Sequence, residues 1–307
     1  MATVSFTVNA CVTDQDFFGP TLRHVLRTFD YPFVERLVAF DPGRPDGKYL
    51  ERNRGNLEGM QTLLSALQSE GWIDRCDEIP WGEAEQHRIL TTHFATADMD
   101  LRDFSGAPIY QYLYALDRCQ GDYILHIDSD MLFHRGSDWC WIEAGIEFME
   151  RTPDAAMVTV RGGPPIAGNW LERLLDRPLK TSPQGWKRCT TMSTRYFLLH
   201  KARWRDRLLP LVQHKPGEPL EDSISHTLGE RGLGRWTSTG TDSWSIHPWK
   251  HDAAYVEHLP LLIRAVEAGV YPFKRTGYPW DMRTEDGLVE EWLGAIRRHG
   301  LTLPPTQ

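Results

Sequence analysis

The chain has no run of about 18 apolar residues, so no membrane span is expected. Its first ten residues, MATVSFTVNA, carry neither a basic stretch nor a long apolar one, so no secretory leader is expected either. No two cysteines stand in a C-x-x-C. Cys11, Cys76, Cys119, Cys140 and Cys189 are odd in number, which argues against a disulfide framework and against a zinc knuckle. Together these absences predict a reduced, soluble, cytoplasmic protein. A basic excess is also missing. The 34 Lys and Arg face 42 Asp and Glu, a net charge of −8, which argues against a groove for duplex nucleic acid. An acidic protein that holds an anionic ligand needs a local device for it, such as a metal ion or a helix N-terminus. Neither an internal repeat nor a low-complexity linker is present.

What is present reads as one large domain or two modest ones, since 307 residues can bury a sizeable core unaided. Val4–Val8 is a short β-branched and aromatic run. A polar turn, 13–16, leads to a helical pattern at Leu22, Val25, Leu26 and Phe29. Leu37–Phe40 is apolar and closes on Asp41-Pro42-Gly43. Asn56 can cap a helix bearing Leu57, Met60, Leu64 and Leu67, with Gly71 as its stop. Ile73–Ile79 is a weak third strand. Ile109, Tyr112, Leu113 and Leu116 mark a further helix, with Gly121 just past its end. Tyr123–Ile127 then forms a buried-looking strand that closes on Asp128-Ser129-Asp130. This β-α order predicts an α/β fold with a mostly parallel central sheet and helices on both faces. Ligands of such sheets sit beyond the carboxyl ends of the strands. The loops to watch are Asn9–Asp16, Asp41–Asp46 and Asp128–Asp130.

The later chain is less regular. Ala156–Val160 and Thr194–His200 read as strands, and Ser223–Gly229 as a helix after Glu221-Asp222. Amphipathic helices are expected near Leu261–Val266 and Leu288–Ile296. Ten of the 12 tryptophans lie after Asp130.

An apolar strand that delivers Asp128 and Asp130 into one loop suits a hard divalent cation, which completes its shell with substrate phosphates. The segment Gly121-Asp122-Tyr123-Ile124-Leu125-His126-Ile127-Asp128-Ser129-Asp130 resembles the D-x-D segment of GT-A fold nucleotide-sugar glycosyltransferases, especially glycosyltransferase family 2. Ser105-Gly106 and the 109–119 helix before it fit that order, and the resemblance extends over about residues 3–135. It implies a GT-A fold, Rossmann-like, with a C-terminal helical extension. Residues 1–255 would be the catalytic domain, with a nucleotide-sugar half at 1–135 and an acceptor half at 136–255. Residues 256–307 would be the extension.

The resemblance also implies roles. Asp128 and Asp130 would hold Mn2+ or Mg2+. His247, in Ser245-Ile246-His247-Pro248-Trp249-Lys250-His251, would be a further metal ligand, with His251 in reserve; Lys250 could instead meet the diphosphate. Imidazole favours manganese over magnesium. Asn9, Thr13 and Asp41 would contact base or ribose, Arg102 phosphate, and Asp128 and Ser129 the donor. The 41–44 segment, Asp-Pro-Gly-Arg, departs from the family's acidic pair plus Gly-Ser, so it does not identify the base. Paired acids in Pro219-Leu220-Glu221-Asp222 resemble the motif that supplies the general base of inverting enzymes. Asp222 is assigned that role, with Glu221 as the alternative. Trp170, Trp186, Trp244 and Trp249 lie in the acceptor half; Trp186, Trp244 and Trp249 are the acceptor candidates, Trp186 foremost on an expected loop.

The implied activity is metal-dependent transfer of a sugar, with a UDP-sugar favoured, to the hydroxyl of a small molecule, glycan, lipid-linked sugar or protein. Three other readings stand beside it. A sugar-1-phosphate nucleotidyltransferase would need a glycine-rich basic loop after the first strand, where this chain has Cys11-Val12-Thr13-Asp14-Gln15-Asp16. A D-x-D phosphatase would need Thr or Val at the position of Leu132. A catalytically degenerate nucleotide-sugar-binding protein would retain the same motifs.

Overall fold

The structure, a computed structural model, describes residues 2–43, 55–136, 139–165, 185–248, 250–272, 281–282 and 288–302. The first half alternates as its apolar periodicity requires: β1 (Val4–Cys11), α1 (Gln15–Phe29), β2 (Glu35–Asp41), α2 (Leu57–Ser69) and β3 (Arg75–Glu78). Two helices then follow, α3 (Glu83–Phe94) and α4 (Tyr110–Arg118), before β4 (Tyr123–Asp128). The apolar spacing of the sequence predicts only the second of these helices, because the apolar positions of α3 are sparse and polar residues fill the gaps. The Asn56 cap forms as expected, with its side chain accepting from Gly59 N at 2.8 Å.

The second half adds β5 (Leu132–Arg135), α5 (Trp141–Arg151), β6 (Ala155–Thr159), β7 (Arg161–Gly162), β8 (Trp186–Cys189) and β9 (Tyr196–His200). It continues with α6 (Leu220–Glu230), β10 (Gly234–Ser238), β11 (Ser243–Pro248) and α7 (Ala253–Glu267), then β12 (Asp281–Met282) and α8 (Leu288–Arg298).

Among the described residues the main sheet runs β3-β2-β1-β4-β9-β6-β10-β8. The pairs β3–β2, β2–β1, β1–β4 and β6–β10 are parallel, while β9 and β8 run antiparallel to their neighbours. A smaller sheet joins β12, β11 and β5, with β7 beside β11.

Helices cover both faces of the main sheet. Val4, Phe6, Val8 and Ala10 of β1 alternate onto one face, where α1, α2 and α5 pack. Leu37, Ala39, Ile124, Phe197 and Leu199 face the other layer, built from α3, α4 and α6. Each large side chain buried here contributes about 1.5–3 kcal/mol. The turn into β4 passes close to β1. A Cβ on Gly121 would stand 2.6 Å from Ser5 N, so only glycine fits. A third core gathers Phe17, Leu132, Trp244 and Ile246 with the apolar faces of α7 and α8.

Buried His24 joins α1 to that core. Its Nε2 accepts from Phe133 N at 3.0 Å, so the proton sits on Nδ1, 2.9 Å from Glu267. Burial lowers its pKa and keeps it neutral. No described helix is long and apolar enough to cross a membrane.

Candidate functional site

Parallel β1, β2 and β4 end side by side, and a cavity of about 550 Å³ opens beyond their carboxyl ends. The strands deliver Asp41, Asn9 and Asp128 to its wall. The turns that follow add Thr13, Asp14, Ser129 and Asp130, and α6 adds Glu221. Neighbouring strands lie about 4.8 Å apart, so Asp41 and Asp128, two strands apart and offset by two residues in register, are separated by roughly 12 Å.

At the β2 end both oxygens of Asp41 have protein donors. Its Oδ1 accepts from Gly43 N at 2.8 Å and from Trp81 Nε1 at 3.2 Å, and its Oδ2 accepts from Arg102 at 2.8 Å. Arg102 also lies 5.8 Å over the Trp81 ring and donates to Gly106 O at 3.2 Å. The Arg102 charge, expected to meet phosphate, is here paired with a buried carboxylate. The loop it opens is held by Asp103 Oδ1, which accepts from Ser105 N, Ser105 Oγ and Ala107 N at 2.7–2.8 Å. Gly106 completes that turn at φ +84°, a conformation glycine adopts freely.

The β4 end is different. Tyr112 donates its hydroxyl to Asp128 Oδ1, and His126 Nε2 lies 3.4 Å from the same oxygen. Asp130 is 6% exposed. Both His247 Nε2, at 3.1 Å, and His251 Nε2, at 2.7 Å, meet its Oδ2, while Oδ1 has no hydrogen-bond partner. Burial alone would raise this carboxyl, but the charges and hydrogen bonds of the two imidazoles hold it well below the usual carboxylate range. His251 is fixed by stacking on Phe17 at 4.6 Å. A buried carboxylate oxygen without a partner, beside two imidazoles, is a donor set that fits a divalent cation. Among the described residues no group of three or more His, Cys, Asp and Glu side chains surrounds a ready-made metal position, because both Nε2 atoms are directed onto one oxygen.

Asp14 was not singled out from sequence, yet it lines the cavity. Burial raises its carboxyl to about 6, against the lowering effect of hydrogen bonds from Cys11 N and Ser129. Thr194, Arg195 and Tyr112 also lie on the wall without a sequence signal that named them. Asp14 and Tyr112 were visible only as members of a turn and a helix already identified.

Asn9, Thr13, Asp41, Arg102, Asp128, Ser129, Asp130, His247 and Glu221 thus come together on one cavity. Asp222 does not. Successive helix residues point roughly 100° apart, so one of the pair must turn away. Glu221 faces inward and accepts from Thr194 N at 3.3 Å and Thr194 Oγ1 at 3.2 Å, whereas Asp222 is exposed. Lys250 is exposed too.

The two described acceptor tryptophans are core residues. Trp186 begins β8 rather than lying in a loop, is 3% exposed and stacks on Phe148 at 5.1 Å. Trp244, 1% exposed, stacks on His134 at 5.1 Å. An indole with both faces packed has none left for a sugar. Trp170 and Trp249 lie outside the described residues.

No family model matches the chain, and no curated protein matches it in sequence. Solved structures do resemble it. One is TarS residues 1–349 of S. aureus in complex with UDP-GlcNAc, at 12% identity and a TM-score of 0.44, over 79% of this chain and 58% of that one. Another is GalNAc-T7 with UDP, GalNAc and Mn2+, at 11% identity and a TM-score of 0.48, over 80% of this chain and 44% of that one. A mycobacterial protein is similar at 14% identity and a TM-score of 0.42, over 86% of this chain and 73% of that one. The chain therefore spans less than two thirds of the TarS and GalNAc-T7 chains.

Proposed function

We propose that this protein is a GT-A glycosyltransferase that moves a sugar from a nucleoside-diphosphate donor, with a UDP-sugar favoured, to an acceptor hydroxyl. In this reading residues 1–255 are the catalytic unit and 256–307 an extension, of which α7 and α8 share a core with β5 and β11. The observation that carries the reading is the cavity beyond β1, β2 and β4, lined by the D-x-D carboxylates, His247 and Glu221, with His251 reaching Asp130 from outside that lining.

In this reading the donor lies across the strand ends, with its base toward Asp41 and its diphosphate toward Asp130. Asp128, Asp130 and His247 would hold a divalent cation. Bound there, it supplies charge to the departing diphosphate. Tyr112 and His126 hold Asp128 in place from behind. Glu221 acts as base: it takes the acceptor hydroxyl's proton while that oxygen attacks the anomeric carbon and the bond to the diphosphate breaks. Attack opposite the leaving group inverts the anomeric centre. Glu221 replaces Asp222 in this role because it alone of the pair faces the cavity.

The test is a thermal-shift screen of nucleoside diphosphates and nucleotide sugars with and without Mn2+, followed by transfer and donor-hydrolysis assays. A ligand bound only by the native state raises the melting temperature. A nucleotide-dependent rise that needs Mn2+ is expected, with turnover that falls about 10²- to 10⁴-fold in Glu221→Gln. No shift with any of them sinks the reading. Binding with neither transfer nor hydrolysis would leave a nucleotide-sugar-binding protein.

A further inference from the structure

We propose that Phe104 is the platform on which the acceptor binds, and that the acceptor is a pyranose sugar, free or at the end of a glycan, with its apolar face on that ring. This rests on the reading above, that the cavity transfers a sugar with Glu221 as base.

Among the described residues four large apolar side chains are exposed, Val34, Leu57, Trp81 and Phe104, and Phe104 is the most exposed of them at 78%. Of the four, only Phe104 lines the cavity. A lone apolar side chain on an open surface needs no explanation. This one is held firmly in place at a cavity wall. Asp103 N donates to Ala107 O at 2.8 Å and Gly106 N to Asp103 O at 2.9 Å, besides the three bonds that Asp103 Oδ1 accepts. Phe104 N donates to Gly217 O at 2.9 Å. Gly217 turns at φ +66°, and a Cβ on it would lie 3.5 Å from Phe104 Cβ, so the two turns pack together.

The second turn is fixed in its own right to α6. Buried Glu218 accepts through Oε2 from His214 N at 2.8 Å and from Ser223 Oγ at 3.2 Å. Phe104 is thereby joined to the start of the helix that carries Glu221. From Gly217 to Glu221 the chain spans at most about 14 Å. Phe104 and Glu221 line the same cavity, so one ligand can meet both.

The surroundings specify that ligand. Phe104 stands between Asp103 and Ser105, and the same cavity presents Thr194, Arg195 and Glu221. An acyl chain calls for a continuous apolar surface, which one ring among polar groups does not provide. A pyranose has a face of C–H bonds and a rim of hydroxyls. Its weakly positive C–H hydrogens suit the negative face of the phenyl ring. Its hydroxyls suit the polar wall, with one directed to Glu221. A nucleobase also stacks on phenyl, but in the reading above it lies toward Asp41, whereas Phe104 is tied to the turn before Glu221.

The full chain, with Mn2+ and the nucleotide sugar selected by the thermal-shift screen, tests this. It is offered methyl α- and β-glycosides of glucose, galactose, mannose and N-acetylglucosamine, with glycerol and an unglycosylated Ser/Thr peptide as acceptors that lack a sugar ring. Wild type should show a higher kcat/KM for at least one glycoside than for either of the others. Phe104→Ala and Phe104→Leu should each raise the KM for that glycoside roughly 10- to 100-fold. Leucine is apolar but has no flat face, so it separates stacking from simple contact. Phe104→Trp should stay within about threefold of wild type, because indole offers a larger face. Nucleotide-sugar affinity should change by less than about twofold in each variant. Melting temperatures should match wild type, since the substituted side chain is exposed.

The inference is overturned if no glycoside outperforms glycerol and the peptide, or if the leucine variant keeps the wild-type KM. It is also overturned if truncation weakens nucleotide-sugar binding, which would make Phe104 a contact of the base. In each case nucleotide-sugar binding, and so the proposed function, survives. If no nucleotide sugar binds with Mn2+, the proposed function fails and takes this inference with it.

Discussion

The two ends of the cavity differ in how completely their polar atoms are used. At the end of β2 both oxygens of Asp41 are occupied by three donors from the protein. Two strands away, Asp130 keeps an unpartnered Oδ1, and between them Asn9 keeps both amide atoms unpaired. A carboxylate with protein donors on both oxygens holds the segments that carry those donors. A buried polar atom that no protein group meets at a cavity wall can take its partner from what enters the cavity. Asp41 therefore serves to anchor Arg102 and Trp81, and through them the 102–108 loop.

Substitutions at the two ends should separate function from stability. The largest effect is expected for Asp130→Asn, which keeps shape and an acceptor but removes charge. Sugar transfer should fall by about 10³-fold or more, since a metal's charge stabilisation amounts to several kcal/mol. The Mn2+-dependent thermal shift should vanish, while the far-ultraviolet circular dichroism stays that of wild type. Retained metal dependence would break the comparison at its functional end.

Asp41→Ala should do the opposite. It strands a partly buried guanidinium and two further donors, so unfolding in urea should show a loss of about 3 kcal/mol at unchanged m-value. A full-stability variant would show that Asp41 anchors nothing.

His93 sharpens the contrast, because it is an unpaired buried side chain that does not line that cavity. It is 3% exposed and neither ring nitrogen has a hydrogen-bond partner. Burial lowers its pKa to about 4 from an ordinary 6.5. Between those values the unfolded chain holds a proton that the folded chain does not, so stability rises with pH there and is lost as pH falls toward 4. The full difference is roughly 3 kcal/mol. Relative to wild type, His93→Leu should gain stability at pH 4 over pH 7.5 by up to that amount, with transfer activity at pH 7.5 unchanged. A difference independent of pH would mean that His93 is not held neutral.

The smallest effect is expected at Asp222→Asn. An exposed side chain off the cavity should change stability by less than about 0.5 kcal/mol and activity by less than about twofold. A large activity loss here would return the role of base to Asp222 and count against Glu221.

Legibility followed the range of the interactions involved. The Asn56 cap, the Tyr123–Asp128 strand and the D-x-D loop depend on neighbours a few residues away, and all were readable. So was the alternation of strands and helices that places three carboxylate-bearing turns together. The second half was harder because its pairings are distant. β9 inserts antiparallel between β4 and β6, and β11 pairs with β5 across more than a hundred residues. No local periodicity encodes such partners. The tryptophans misled for a related reason: composition counts an indole but does not say which way it faces, and Trp186 and Trp244 face inward.

By itself, then, the sequence determined the layered α/β architecture, because periodicity follows from which face each residue must bury. It also determined which carboxylates end up on strand termini. Tertiary structure alone decided the rest: that His247 and His251 both reach Asp130, that Glu221 and not Asp222 enters the cavity, and that Asp41 is satisfied while Asn9 is not. Those outcomes depend on where side chains from distant segments point. That is set by the close packing of helices and strands against one another rather than by the order of residues along any one of them.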